Sequence, residues 1–103
     1  MVVVDSRILV RFSRPYMALG GIAMNTRECV VDRIAALCRE RNLKLERLAR
    51  LSAVAPSTLK NIMNGGSQNP GIVTIKMLCD GLGITLTEFF DTDDFRHLEQ
   101  EIQ

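Results

Sequence analysis

The chain has no tryptophan, and aromatic residues make up only 5% of its 103 residues. Any core must therefore be mostly aliphatic. Long apolar runs are missing too: none approaches the ~20 residues that a membrane-spanning helix requires. A signal peptide is a poor fit, because Arg7, Arg11 and Arg14 interrupt the apolar stretches near the start. There is a single histidine, His97, with no evident nucleophile to partner it. Ser57 and Thr58 have no histidine nearby, and no glycine-rich phosphate loop is present, which argues against an enzyme. The three cysteines, Cys29, Cys38 and Cys79, lack CxxC spacing, and a zinc site built on them would want a fourth ligand. Neither a metal nor a cofactor is expected. An odd cysteine count without an export signal points to reduced, buried thiols in a cytoplasmic protein.

The net charge of +1 hides an asymmetry. From Met24 to Phe90, nine basic residues stand against six acidic ones, an excess of three. From Asp91 onward, Arg96 stands against Asp91, Asp93, Asp94, Glu99 and Glu101, an acidic excess of four. A mildly basic body with an acidic tail is compatible with a polyanionic partner. The length suits one domain with a modest core.

Three segments are expected: an N-terminal extension over 1–23, weakly ordered or strand-like; a helical domain over 24–90; and a short acidic amphipathic tail over 91–103. The residues leave the extension open to three readings. It is a disordered leader, or an upstream piece with Met24 as the natural start; a strand that pairs with another chain; or a basic arm, through Arg7, Arg11 and Arg14, that follows a DNA groove.

Within the body, Asn25 followed by Glu28 predicts a capping box. The helix it opens runs to about Arg41, with Val30, Val31, Ile34, Leu37 and Cys38 at helical spacing. Asn42 stops it and Leu43 turns inward. A second helix is expected from about Leu45 to Leu51, with Leu48, Ala49 and Leu51 on its apolar side and Lys44 as a poor N-cap. Val54 plugs the angle before a third helix, over about 56–64. Pro56 suits the first turn of that helix, and Gly65-Gly66 ends it. A loop of turn formers leads to a fourth helix from Ile72 to Leu82, closed by Gly83. A second capping box, Thr85 with Glu88, opens a fifth helix through Phe90. The tail offers Phe95, Leu98 and Ile102 as an apolar stripe. Left exposed, such a stripe would be a reason to dimerise.

The third helix carries the functional signal. Leu59 and Ile62 mark its inner side, and Pro56, Ser57, Lys60, Asn61 and Asn64 fall on the opposite face. None of these is acidic. Asn can bond adenine with two hydrogen bonds, Lys can reach guanine or a phosphate, and Ser suits either. The same composition also fits an ordinary solvated face.

The pattern from Ile34 to Phe90 resembles the Cro/repressor-type (XRE-like) helix-turn-helix family. The matching residues are Leu43, Leu48-Ala49, Val54, Ser57-Thr58-Leu59, Ile62, Gly65, Pro70, Thr74-Ile75, Cys79, Leu82-Gly83-Ile84 and Leu86-Thr87-Glu88-Phe89-Phe90. The resemblance implies an all-α, compact five-helix domain with its helix-turn-helix at helices 2–3. It also implies a sequence-specific regulator of transcription that binds double-stranded DNA as a homodimer. By position, Pro56, Ser57 and Asn61 would meet bases. Lys44, Arg47, Thr58, Lys60, Asn64 and the loop residues Ser67, Gln68 and Asn69 would lie near the backbone. Relatives commonly carry Gly where Ala53 stands. Many also join Arg and Glu where this chain has Cys38 and Met63, so the latter two are expected to pack together instead. The alternative is an antitoxin-like or other protein-interaction module on the same fold, with a protein partner that the residues do not name. No membrane partner is expected.

Overall fold

The computed structural model describes residues 24–102. Expectations for residues 1–23 lie outside the described residues. Six α-helices and no strand are present among the described residues: α1 (Thr26–Glu40), α2 (Leu45–Ser52), α3 (Pro56–Met63), α4 (Ile72–Leu82), α5 (Leu86–Phe90) and α6 (Asp93–Arg96). The all-helical architecture agrees with the expectation, with one short helix added in the tail. No helix among the described residues is long and apolar enough to cross a membrane.

Helix starts follow local chemistry. The Asn25 side chain accepts from the Glu28 amide at 2.8 Å, and Glu28 Oε1 accepts from the Asn25 amide at 3.2 Å. Thr85 and Glu88 form the same reciprocal pair at 3.0 and 2.8 Å. Each box satisfies amide donors that the first turn would otherwise leave free. Lys44 supplies no side-chain cap to α2, as its lack of an acceptor implies.

Helix ends share one device. α1, α2, α3 and α4 each close around a left-handed residue: Asn42 (φ 51°), Ala53 (φ 57°), Gly65 (φ 84°) and Gly83 (φ 75°). The following amide reaches back to a helix carbonyl in every case. Leu43 donates to Cys38 at 2.9 Å, Val54 to Ala49 at 3.0 Å, Gly66 to Asn61 at 2.9 Å and Ile84 to Cys79 at 3.0 Å. These are Schellman closures, which satisfy orphan carbonyls and turn the chain sharply. Gly suits the left-handed conformation and Asn tolerates it; Ala adopts it only at a cost.

The core draws Cys29, Val30, Ile34, Leu37 and Cys38 from α1, Leu48 and Ala49 from α2, and Val54 from the turn. Leu59 and Ile62 of α3, Ile75, Leu78, Cys79 and Leu82 of α4, and Phe89 of α5 complete it. Val31, Leu43 and Met63 pack against the aliphatic cluster that includes Cys38. Burial pushes the Cys38 and Cys79 thiols above their usual value of about 9.0; for Cys38 the Arg41 charge opposes the shift in part. All three cysteines are buried and stand outside any disulfide.

One core assignment is corrected. Leu51 is 48% exposed, whereas Ser52 is 4% exposed. The cause is the close approach of α4, the principal packing partner of α2. A Cβ on Gly81 would fall 3.1 Å from both the Leu51 carbonyl carbon and Ser52 Cα. That approach sets the buried arc of α2 on residues 48, 49 and 52, and the ~100° step per residue turns Leu51 outward.

The tail also departs from expectation. α6 stops at Arg96, so Phe95, Leu98 and Ile102 do not form one helical stripe. Phe95 instead stacks edge-on against Phe90, at a centroid distance of 4.8 Å, and lies 6.0 Å from Phe89. Beyond α6 the chain returns to the start of α1. There the Glu99 amide donates to the Met24 carbonyl at 3.4 Å, and the Glu101 carboxylate accepts from the Thr26 amide at 3.4 Å. Of Phe95, Leu98 and Ile102, Ile102 alone is broadly exposed.

Candidate nucleic-acid interface

Leu59 and Ile62, 1% and 3% exposed, anchor the inner side of α3. Pro56 occupies its first turn, where a missing N–H costs nothing. With that side held down, Pro56, Ser57, Thr58, Lys60, Asn61 and Asn64 are all exposed. The helix contributes no carboxylate to this face.

A shallow groove of about 470 Å³ runs along it. It is lined by Ser57, Thr58, Asn61 and Ile62 of α3, by Ser67, Pro70 and Gly71 of the loop, and by Thr74 of α4. The fold thus brings Ser57, Thr58, Asn61 and Ser67 together. Pro56, Lys60, Asn64, Gln68, Asn69, Lys44 and Arg47 do not line the groove, although each is exposed. Gln68 closes the loop on itself, its Nε2 donating to the Gly65 carbonyl at 2.9 Å.

Thr74 is a groove residue that sequence reasoning missed. It sits three residues past the N-cap Gly71, in the first turn of α4, where amides have no intrahelical partner. Arg27 is a second omission. Its guanidinium reaches the end of α3, with Nη1 3.6 Å from where a Cβ on Gly65 would lie. Spacing within α1 gives no hint of this, because the contact spans two separate elements.

The charge pattern sharpens once pairing is known. Arg33 is spent internally, donating to the carbonyls of Phe89 and Glu88 at 2.8 and 2.9 Å. Lys76 pairs with Asp80, and Arg96 with Asp91 and Asp93. Among the described residues, no carboxylate lies within ion-pair distance of Lys44, Arg47, Arg50 or Lys60. Exposed cations without internal partners keep their full attraction for an outside polyanion.

A family model described as the Cro/C1-type HTH DNA-binding domain matches residues 33–94. The chain belongs to this family. As a Cro/C1-type domain it is a DNA-binding protein, in a family of regulators and not of enzymes. A solved structure titled "Crystal structure of the prophage Lp1 protein 11" is similar, with a TM-score of 0.64 and 33% sequence identity. That likeness covers 73% of this chain and 100% of the other. No curated protein matches the chain. In this Cro/C1-type chain, α2, the turn at Ala53–Ala55 and α3 are the helix-turn-helix.

Proposed function

We propose that this protein is a sequence-specific regulator of transcription that binds double-stranded DNA as a homodimer. α3 is the recognition helix and enters the major groove with its N-terminal residues at base edges. Pro56, Ser57 and Asn61 face the bases. Lys44, Arg47, Thr58, Lys60, Asn64, Ser67, Gln68 and Asn69 hold the backbone, and Arg27 adds a cation beside the end of α3. Residues 24–90 are the DNA-binding unit, 91–103 its acidic tail, and 1–23 an extension. Two copies read half-sites about one helical turn, ~34 Å, apart.

One observation carries the reading. The polar, carboxylate-free face of α3 is open to solvent while its aliphatic face is locked into the core. A buried polar face would need internal partners; this one has room for external ones.

The test is selection of bound duplexes from a random-sequence pool with the full chain, followed by salt titration of the winner. A two-fold related consensus is expected, and log K falling linearly with log salt. Sedimentation of the protein–DNA complex gives the stoichiometry. Recovery of no enriched sequence would defeat the claim of specificity, and one copy per site the claim of a dimer.

A further inference from the structure

Asn61 and Gly66 lie five residues apart and meet twice. Through the backbone, the amides of Gly66 and Ser67 both donate to the Asn61 carbonyl, at 2.9 and 3.3 Å. Through the side chain, the Asn61 carboxamide rests over the bare Cα of Gly66. A Cβ built on Gly66 would fall 2.1 Å from Asn61 Oδ1, 2.9 Å from Cγ and 3.4 Å from Nδ2.

The two glycines here do different jobs. Gly65 has φ 84° and ends the helix. Gly66 is not in the left-handed region, so backbone conformation does not demand a glycine there. What glycine supplies at position 66 is room, and the Asn61 carboxamide fills it.

We infer that Gly66 is a positioning residue for base recognition: its bare Cα seats the Asn61 carboxamide at the edge of the groove. The inference rests on the reading of Asn61 as a base-contacting residue. An Asn pairs with adenine only when its amide plane presents donor and acceptor together. Turning the broad χ2 would relieve Oδ1 but not Cγ, which stands 2.9 Å from the new Cβ and is placed by χ1; χ1 occupies discrete staggered wells, so a Cβ at position 66 moves Asn61 to another well. Base choice then changes at one position although residue 66 touches no base. Because the obstructed atoms are the far end of a side chain, the helix and its core contacts are undisturbed.

The experiment compares the full-length parent with Gly66→Ala, Asn61→Ala and the double variant. Each is titrated against the duplex selected from a random pool and against its single-base changes. Gly66→Ala should lose roughly five- to 150-fold of discrimination, at the same base position as Asn61→Ala. Binding to scrambled duplex should be unchanged, and Gly66→Ala should cost nothing further in the Asn61→Ala background. Three-bond couplings of the Asn61 β-protons, measured without DNA, should report a new χ1 well in Gly66→Ala. An unmoved χ1, or additive losses in the double variant, would overturn the inference. If Asn61→Ala loses discrimination and Gly66→Ala does not, Gly66 alone is misassigned. If Asn61→Ala leaves every position unchanged, the base-contacting role of Asn61 fails and the inference falls with it.

Discussion

The Val54 amide donates to the Ala49 carbonyl at 3.0 Å, closing α2 across Ala53, whose φ is 57°. The bond lets Val54 drop into the core at 7% exposure and starts α3 at the required place. It also holds a non-glycine residue in a left-handed conformation, at a cost of roughly 1–2 kcal/mol. Ala53→Gly should therefore stabilise the domain by about 0.5–1 kcal/mol, after allowing for the freer unfolded chain. Thermal unfolding should show Tm rising by a few degrees. A lower Tm would mean that the turn bears no such strain.

The crossing of α2 and α4 makes a second prediction. Ser52 Oγ is buried with no hydrogen-bond partner among the described residues. Ser52→Ala should raise stability by about 1 kcal/mol, since an unsatisfied buried hydroxyl carries its desolvation penalty uncompensated. Gly81→Ala should lower it by about 1–3 kcal/mol, because the new methyl would stand 2.1 Å from Ser52 Oγ and 3.1 Å from α2 backbone. Combining the two should recover only part of the loss. Urea midpoints for the three variants decide; a neutral Gly81→Ala would show that the helices separate freely.

Arg33 ties the first helix to the fifth. Its Nε and Nη2 hold the carbonyls of Phe89 and Glu88, and its guanidinium carbon lies 6.0 Å from the Phe89 ring centroid. Arg33→Ala should cost about 1.5–3 kcal/mol, the range for hydrogen bonds to a charged group. Arg33→Lys should recover little, because a single ammonium cannot match the two-pronged donor. Chemical denaturation reads both; equal stability of parent and Arg33→Ala would remove the clamp from the account.

Stability should fall on the alkaline side. Burial raises the Cys38 and Cys79 thiols in the folded chain, so the unfolded chain releases these protons first. Where the unfolded state binds fewer protons, stability declines with rising pH. The loss should begin near the usual thiol value of about 9.0 and continue through the raised folded values. Urea midpoints between pH 7 and 10, in the parent and in Cys38→Ala with Cys79→Ala, test this. A parent curve no steeper than that of the double variant would count against it.

Lys44→Ala and Lys60→Ala should weaken binding to cognate and scrambled duplexes alike, since phosphate contacts carry no direct sequence information. Each should reduce the salt slope by about one. A variant that lost discrimination but kept its slope would place that lysine at a base instead.

Much of the fold was legible because its determinants are local. Asn25 with Glu28 and Thr85 with Glu88 announce helix starts within four residues, and Gly65 and Gly83 announce ends. The stripes of α1, α3 and α4 follow from helical spacing alone. The outward face of α3 was legible for the same reason: once Leu59 and Ile62 are inside, geometry turns Ser57 and Asn61 out.

What local pattern could not supply was set by contacts between distant segments. Ser52 took the inner position of Leu51 because α4 approaches at Gly81, twenty-nine residues further on. Arg33 was withdrawn from the surface charge by carbonyls on α5, and Phe95 was drawn onto Phe89 and Phe90 instead of joining an apolar stripe. The sequence by itself determined which helices form and which side of each is apolar, since caps and periodicity act over a single turn or two. Tertiary structure alone decided which helices touch, and therefore that Ser52 and not Leu51 turns inward and that Arg33 is spent on α5 carbonyls, because those depend on packing between elements remote along the chain.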